Sequence, residues 1–94
     1  MKHCILAKWN EKVTDKAALL QEVEGLFAAY DAVAGVHGVS VLPCCIDRPN
    51  RYDVMIVLDM EKDALSAWDA SVLHHRWKDE YGDLLEKKAI FDYE

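Results

Sequence analysis

The chain has 94 residues, 52% of them hydrophobic, with 17 acidic side chains against 11 Lys and Arg and a net charge of −6. That length fits one domain spanning 1–94, richer in apolar residues than an average globular chain, so part of the apolar area is expected in a subunit contact. No basic run exists to neutralise phosphates, which argues against nucleic acid and against an anionic membrane surface, and no stretch approaches the ~18 apolar residues of a transmembrane helix.

Lys2 to Trp9 alternates. His3, Ile5, Ala7 and Trp9 share one face, and Cys4, Leu6 and Lys8 the other, so a strand with apolar residues on both sides is expected. The chain enters this pattern at once, without the charged and apolar regions of a signal peptide. Its three cysteines are Cys4, Cys44 and Cys45. An odd number without framework spacing points to reduced thiols and a cytoplasmic setting.

Asn10 to Val13 reads as a polar turn. Thr14 is the expected N-cap of a helix, with Asp15 favouring the dipole of its first turn. Leu19, Val23, Leu26 or Phe27, and Tyr30 recur at helical spacing. Gly25 weakens that helix by about 1 kcal/mol relative to Ala, which packing must offset. The helix should stop before Gly35.

Val36 to Ile46 reads as a second strand, with Pro43 placing its later half at an edge or a bulge. A loop from Asp47 to Arg51 follows. Arg51 to Met60 then gives the strongest strand signal. Tyr52, Val54, Ile56, Leu58 and Met60 form one wholly apolar face, and Met55 and Val57 make the middle of the other apolar too. Such a strand is covered on both sides.

Glu61 to Asp63 opens a helix carrying Ala64, Leu65, Ala67 and Trp68. Ser71 to His75 either breaks or continues it. Trp77, Tyr81, Leu84 and Leu85 form a further helical stripe, flawed by Gly82, and Ala89 to Tyr93 is a closing strand.

The order is β-α-β-β-α-β, with the second helix in two pieces. This is the ferredoxin-like plan of the α+β class: a four-stranded antiparallel sheet with the first and third strands central. Helices cover only one face of such a sheet. The other holds Met55, Val57, Cys4 and Leu6, and a second copy of the chain is the economical cover. The expected assembly is a homodimer through opposed sheet faces, a dimeric α/β barrel.

Four pieces, KHCILAKWNEKVT, RYDVMIVLDME, ALSAW and IFDYE, in this order and spread over nearly the whole chain, resemble the stress-responsive α/β-barrel (Dabb) family. The resemblance implies a small dimeric ferredoxin-like protein. Most members have no assigned reaction. One is a plant polyketide cyclase that closes a poly-β-keto chain by aldol chemistry, with a His as base and a Tyr assisting. His3 matches the family's early His. The last His of a His-Pro-x-His motif falls on His74 when counted from Trp68, and on His75 when counted back from the closing strand. The first His and the Pro of that motif are absent. The cyclase's Tyr falls on Trp68 or Asp69, and its third-strand His on Val54.

The candidate acid–base residues are therefore His3 with His74 or His75, since an imidazole titrates near neutrality and suits proton abstraction beside a carbonyl. Trp68, Tyr30 and Val54 are the candidate lining of a pocket for an apolar small molecule. Plainer readings stand beside these. His3 can be a hydrogen-bonded core residue, and His74 and His75 can simply end a helix. Aromatic stripes at helical spacing, here Tyr30, Trp68, Trp77 and Tyr81, are commonly core. The three cysteines read as small buried hydrophobes rather than a metal site, since Cys44 and Cys45 lack CxxC spacing. His37, beside Gly38, is expected in solvent, and Asp53 and Asp59 are expected to pair with Lys8 or Arg51. No Gly-rich phosphate loop, paired-carboxylate motif or Ser-centred elbow occurs, and neither cofactor nor metal is expected. Two functions follow: a small homodimeric protein that binds an apolar molecule, or a cyclase- or isomerase-type enzyme using His acid–base chemistry. An open cavity touching two imidazoles favours the second.

Overall fold

A computed structural model describes residues 1–94. Four strands, β1 (Lys2–Trp9), β2 (Val36–Pro43), β3 (Val54–Met60) and β4 (Leu85–Tyr93), form one sheet in the order β2-β3-β1-β4. Every neighbouring pair is antiparallel. This is the ferredoxin-like α+β fold, with β1 and β3 in the middle as their two-sided apolar patterns require. No helix is long and apolar enough to cross a membrane.

Three helices, α1 (Lys16–Phe27), α2 (Leu65–Ala70) and α3 (Val72–Tyr81), lie on one face. The core is one cluster of 18 buried residues. Ile5, Ala7 and Trp9 of β1 and Val54, Ile56, Leu58 and Met60 of β3 meet Leu19, Val23, Leu26 and Phe27 of α1 and Trp68, Leu73, Trp77 and Tyr81 beyond β3. Trp77 meets Trp9 and Phe27 edge to face and stacks on Tyr81. Such contacts add to the area these rings bury.

The helix ends follow local chemistry. Asp15, not Thr14, is the N-cap of α1: its carboxylate accepts from Ala18 N at 3.0 Å. Tyr30 falls beyond this helix, in a short 3₁₀ turn. Ser71 breaks the second helix. Its backbone is extended (ψ 153°), its hydroxyl donates to Trp68 O at 2.7 Å, and the same oxygen accepts from His74 N at 3.1 Å. One residue thus closes α2 and caps α3. The helical stripe expected through Leu84 and Leu85 ends earlier. Tyr81 is the last residue of α3, Leu84 lies in a 3₁₀ turn and Leu85 begins β4. Gly35 takes φ +82° at the entry to β2, where an added Cβ would lie 2.6 Å from the Ala64 Cβ.

Further expectations need correction. β2 stops at Pro43 rather than Ile46, because proline brings no N–H to the ladder; only Cys44 N continues, to Asp53 O at 2.9 Å. β3 starts at Val54 rather than Arg51. Cys44 and Cys45 are exposed in the intervening loop, so only Cys4 is a buried cysteine. Asp53 does not pair across the sheet with Lys8 or Arg51. It turns back to accept from Trp9 N (2.8 Å) and Lys16 Nζ (2.9 Å), which holds the Lys16 ammonium above its usual pKa. Asp59 pairs with Lys2 at 3.1 Å.

The face away from the helices carries Cys4 and Leu6 of β1, Met55 and Val57 of β3, Leu42 of β2, and Ala89, Phe91 and Tyr93 of β4. Phe91 is 63% exposed there. This is a contiguous apolar surface, not a scatter of single residues.

Candidate functional site

No residue of β4 is buried. The helices pack over β1 and β3 and leave the helix-side residues of β4 as one wall of a cleft. That side is set by the register: Lys88 lies opposite Ala7, Ile90 opposite Ile5 and Asp92 opposite His3. The other wall is α2 and the first turn of α3. The cleft encloses about 250 Å³, and its lining includes His3, Trp68, His74, Lys88, Ile90 and Asp92.

His3 is 5% exposed, the one polar residue among the buried positions. Its Nδ1 bonds to the Asp92 carboxylate. A carboxylate only accepts, so Nδ1 carries the proton and Nε2 of the neutral ring holds the lone pair. Nε2 has no partner within the protein, yet no buried side-chain nitrogen or oxygen lacks one. Nε2 is therefore not sealed in the core, and His3 is part of the lining of the cleft.

His74 sits on the opposite wall. Its Nδ1 donates to Asp69 O at 3.0 Å, which again leaves Nε2 as the lone-pair nitrogen of the neutral ring. Trp68 stands between the two imidazoles. Its ring centroid is 6.2 Å from that of His3 and 4.9 Å from that of His74. Two unprotonated ring nitrogens around one small aromatic-floored space can take or return a proton at a bound molecule. On the far side of the sheet, burial first and the Asp92 charge second push the Cys4 thiol up, against a weaker lowering by Lys2.

The structure distributes the sequence candidates unevenly. His3, His74 and Trp68 come together. His75 does not line the cleft: it is exposed, and its Nδ1 donates to Ser71 O at 2.8 Å. Tyr30 packs half-buried against the core, and Val54 lies near the Cys44 loop, so neither lines this space. His37 is exposed as expected, with Nε2 2.9 Å from Glu61. Two charged cleft residues were not singled out from the sequence, Lys88 and Asp92, and Asp69 entered only as one of two positions on which the cyclase's Tyr falls. Asp92 had a legible signal, since a carboxylate interrupts the apolar run AIFDY. The antiparallel register of the two terminal strands places it opposite His3.

Fold and cleft together define a ferredoxin-like α+β protein with a two-imidazole cleft along one sheet edge. Among solved structures it is similar to a dimeric ferredoxin-like protein of unknown function from Thermobifida fusca (TM-score 0.80, 17% identity, covering 98% of this chain and 87% of that one). It is also similar to a Dabb family protein with a ferredoxin-like fold from Mesorhizobium loti (TM-score 0.72, 14% identity, 99% and 93% covered). A third similar structure is a hydroxynitrile lyase from Passiflora edulis (TM-score 0.75, 9% identity, 98% and 89% covered). No protein-family model matches the chain, and no curated protein matches it.

Proposed function

We propose that this protein is a homodimer whose protomers each carry a proton-transfer site, with His3 as the base and His74 on the facing wall of the cleft. The observation that carries the reading is the buried His3 ring, oriented by Asp92 and left with an unpartnered Nε2 in a cleft shared with His74. The chemistry that suits it is removal of a proton from a carbon next to a carbonyl. The C–H bond breaks, the proton goes to Nε2, and the electron pair moves onto the carbonyl oxygen as an enolate. Return of the proton regenerates the imidazole, so no redox partner is required. A carboxylate behind the ring fixes the tautomer and steadies the imidazolium that forms. That one fold neighbour is a hydroxynitrile lyase supports the view that this architecture hosts catalysis.

The apolar sheet face supports the dimer. Phe91, Tyr93 and Leu42 are large hydrophobics that one copy leaves 63%, 48% and 45% exposed. A second copy packing face to face would remove them from water and complete an α/β barrel. The Thermobifida fusca neighbour is itself described as dimeric.

The test is deuterium exchange at the α-carbon of propiophenone in deuterium oxide, followed by proton NMR. Wild type should accelerate exchange, and His3→Ala should abolish the acceleration with the folded structure retained. Retained binding of propiophenone without any accelerated exchange would instead make this a binding protein for an apolar small molecule.

A further inference from the structure

Lys88 is the one Lys or Arg in the lining of the cleft. Four other lysines, Lys2, Lys8, Lys16 and Lys62, are engaged by Asp59, Glu86, Asp53 and Glu94. Lys87, its neighbour, lies over the Tyr52 ring at 5.2 Å. Lys88 makes no salt bridge and no side-chain hydrogen bond, a state it shares with Lys12 and Lys78, but it is the one of the three in the cleft lining. Of the two acidic side chains in the cleft, Asp92 is taken by His3, and Asp69 does not reach Lys88. An unpaired, exposed ammonium on the wall of a small cleft that also holds Trp68 and Trp77 is available to an anion.

We infer that the cleft takes a small aromatic keto acid, its carboxylate held by Lys88 and its ring laid against Trp68. The inference rests on the proton-transfer reading of the same cleft and adds the substrate class. Size limits the ligand to about one ring. A volume of about 250 Å³ corresponds to about eight waters at roughly 30 Å³ each and lies below the usual range for drug-sized ligands. Spacing limits where the carboxylate sits. Lys88 and Asp92 are four positions apart on β4, about 13 Å along the strand at roughly 3.3 Å per residue. The long Lys side chain shortens that gap but does not close it. The carboxylate is thus separated by several bonds from the carbon that faces His3.

The test uses 6-oxo-6-phenylhexanoate and its primary amide, which share a shape and differ in the charge. Wild type should bind the acid about tenfold more tightly than the amide, and Lys88→Gln should remove that difference while leaving the amide unchanged. Added salt should weaken the acid alone. Equal binding of acid and amide by wild type, or a Lys88→Gln protein that still prefers the acid, overturns the inference, as does absence of binding by both. These outcomes are separate from the base assignment. His3-dependent exchange on the neutral propiophenone can stand while the Lys88 preference fails. A Lys88-dependent preference for the acid likewise supports the substrate class even where exchange is absent.

Discussion

His74 rests against Trp68 at 4.9 Å between ring centroids, and Ser71, midway between them in sequence, bonds to the backbone of both. The break between α2 and α3 is therefore what sets one imidazole of the cleft. Ser71→Ala loses the cap of α3 and should cost about 1 kcal/mol of stability. Ser71→Thr retains the hydroxyl and should lose less. Thermal unfolding of the two variants checks this, and equal stability of Ser71→Ala and wild type would contradict it.

Gly35 answers a different constraint. Its φ of +82° and the 2.6 Å gap to the Ala64 Cβ leave no room for a side chain. Gly35→Ala should destabilise by about 2 kcal/mol or more, combining a left-handed backbone with a displaced Ala64. Gly25→Ala is the control. Nothing lies within 4 Å of the added Cβ, the residue is helical in the last turn of α1, and the change should stabilise by about 0.5–1 kcal/mol.

The dimer prediction falls on Phe91. Phe91→Asp puts a charge on the apolar sheet face, on the edge strand β4 beside Cys4, and leaves the helix-side core untouched. Sedimentation equilibrium should show a dimer for wild type and a shift to monomer for the variant. A monomeric wild type would contradict the proposed assembly.

The cysteines should divide by reactivity. Cys44 and Cys45 are exposed, whereas Cys4 is buried with its thiol pushed up by burial and the Asp92 charge. Iodoacetamide on the native protein should add quickly at Cys44 and Cys45 and slowly at Cys4, as read by peptide mass spectrometry. A raised thiol also means that the folded chain keeps a proton the unfolded chain gives up. Stability from this group should fall as pH rises through the unfolded thiol value of 9.0. Burial pushes the Tyr81 hydroxyl up in the same sense, so it adds to the loss above its own ordinary value of 10.0.

Most of the fold was legible because the central strands are unusually explicit. Ile56 and Leu58 on one face, with Met55 and Val57 on the other, fit only a strand covered twice, and its place in the middle of the sheet followed. Strand ends were less legible. Tyr52 and Asp53 continue the alternation of β3, and the Asp53 backbone still bonds to Ala7 O and Cys44 N, but its side chain turns to Trp9 N and Lys16, a tertiary contact that no period reveals. Cys44 and Cys45 read as apolar, yet they follow the proline that ends β2. At the site, His3 and His74 were visible as residue types with the chemistry required. Which residues join them was less legible, because Asp92 and Lys88 reach the cleft only through the β1–β4 register, even though the carboxylate in AIFDY stood out as a residue type. His74 and His75 could not be told apart until Ser71 fixed the phase of α3.

The central claim is that His3 presents an unprotonated Nε2 to the cleft while Asp92 holds the proton on Nδ1. A long-range nitrogen–proton correlation spectrum of the imidazoles, recorded with the rings neutral, tests it directly. The account predicts that the neutral His3 ring is the Nδ1–H tautomer. A neutral ring protonated on Nε2 would contradict it, since the nitrogen facing the cleft would then have no lone pair with which to take a proton.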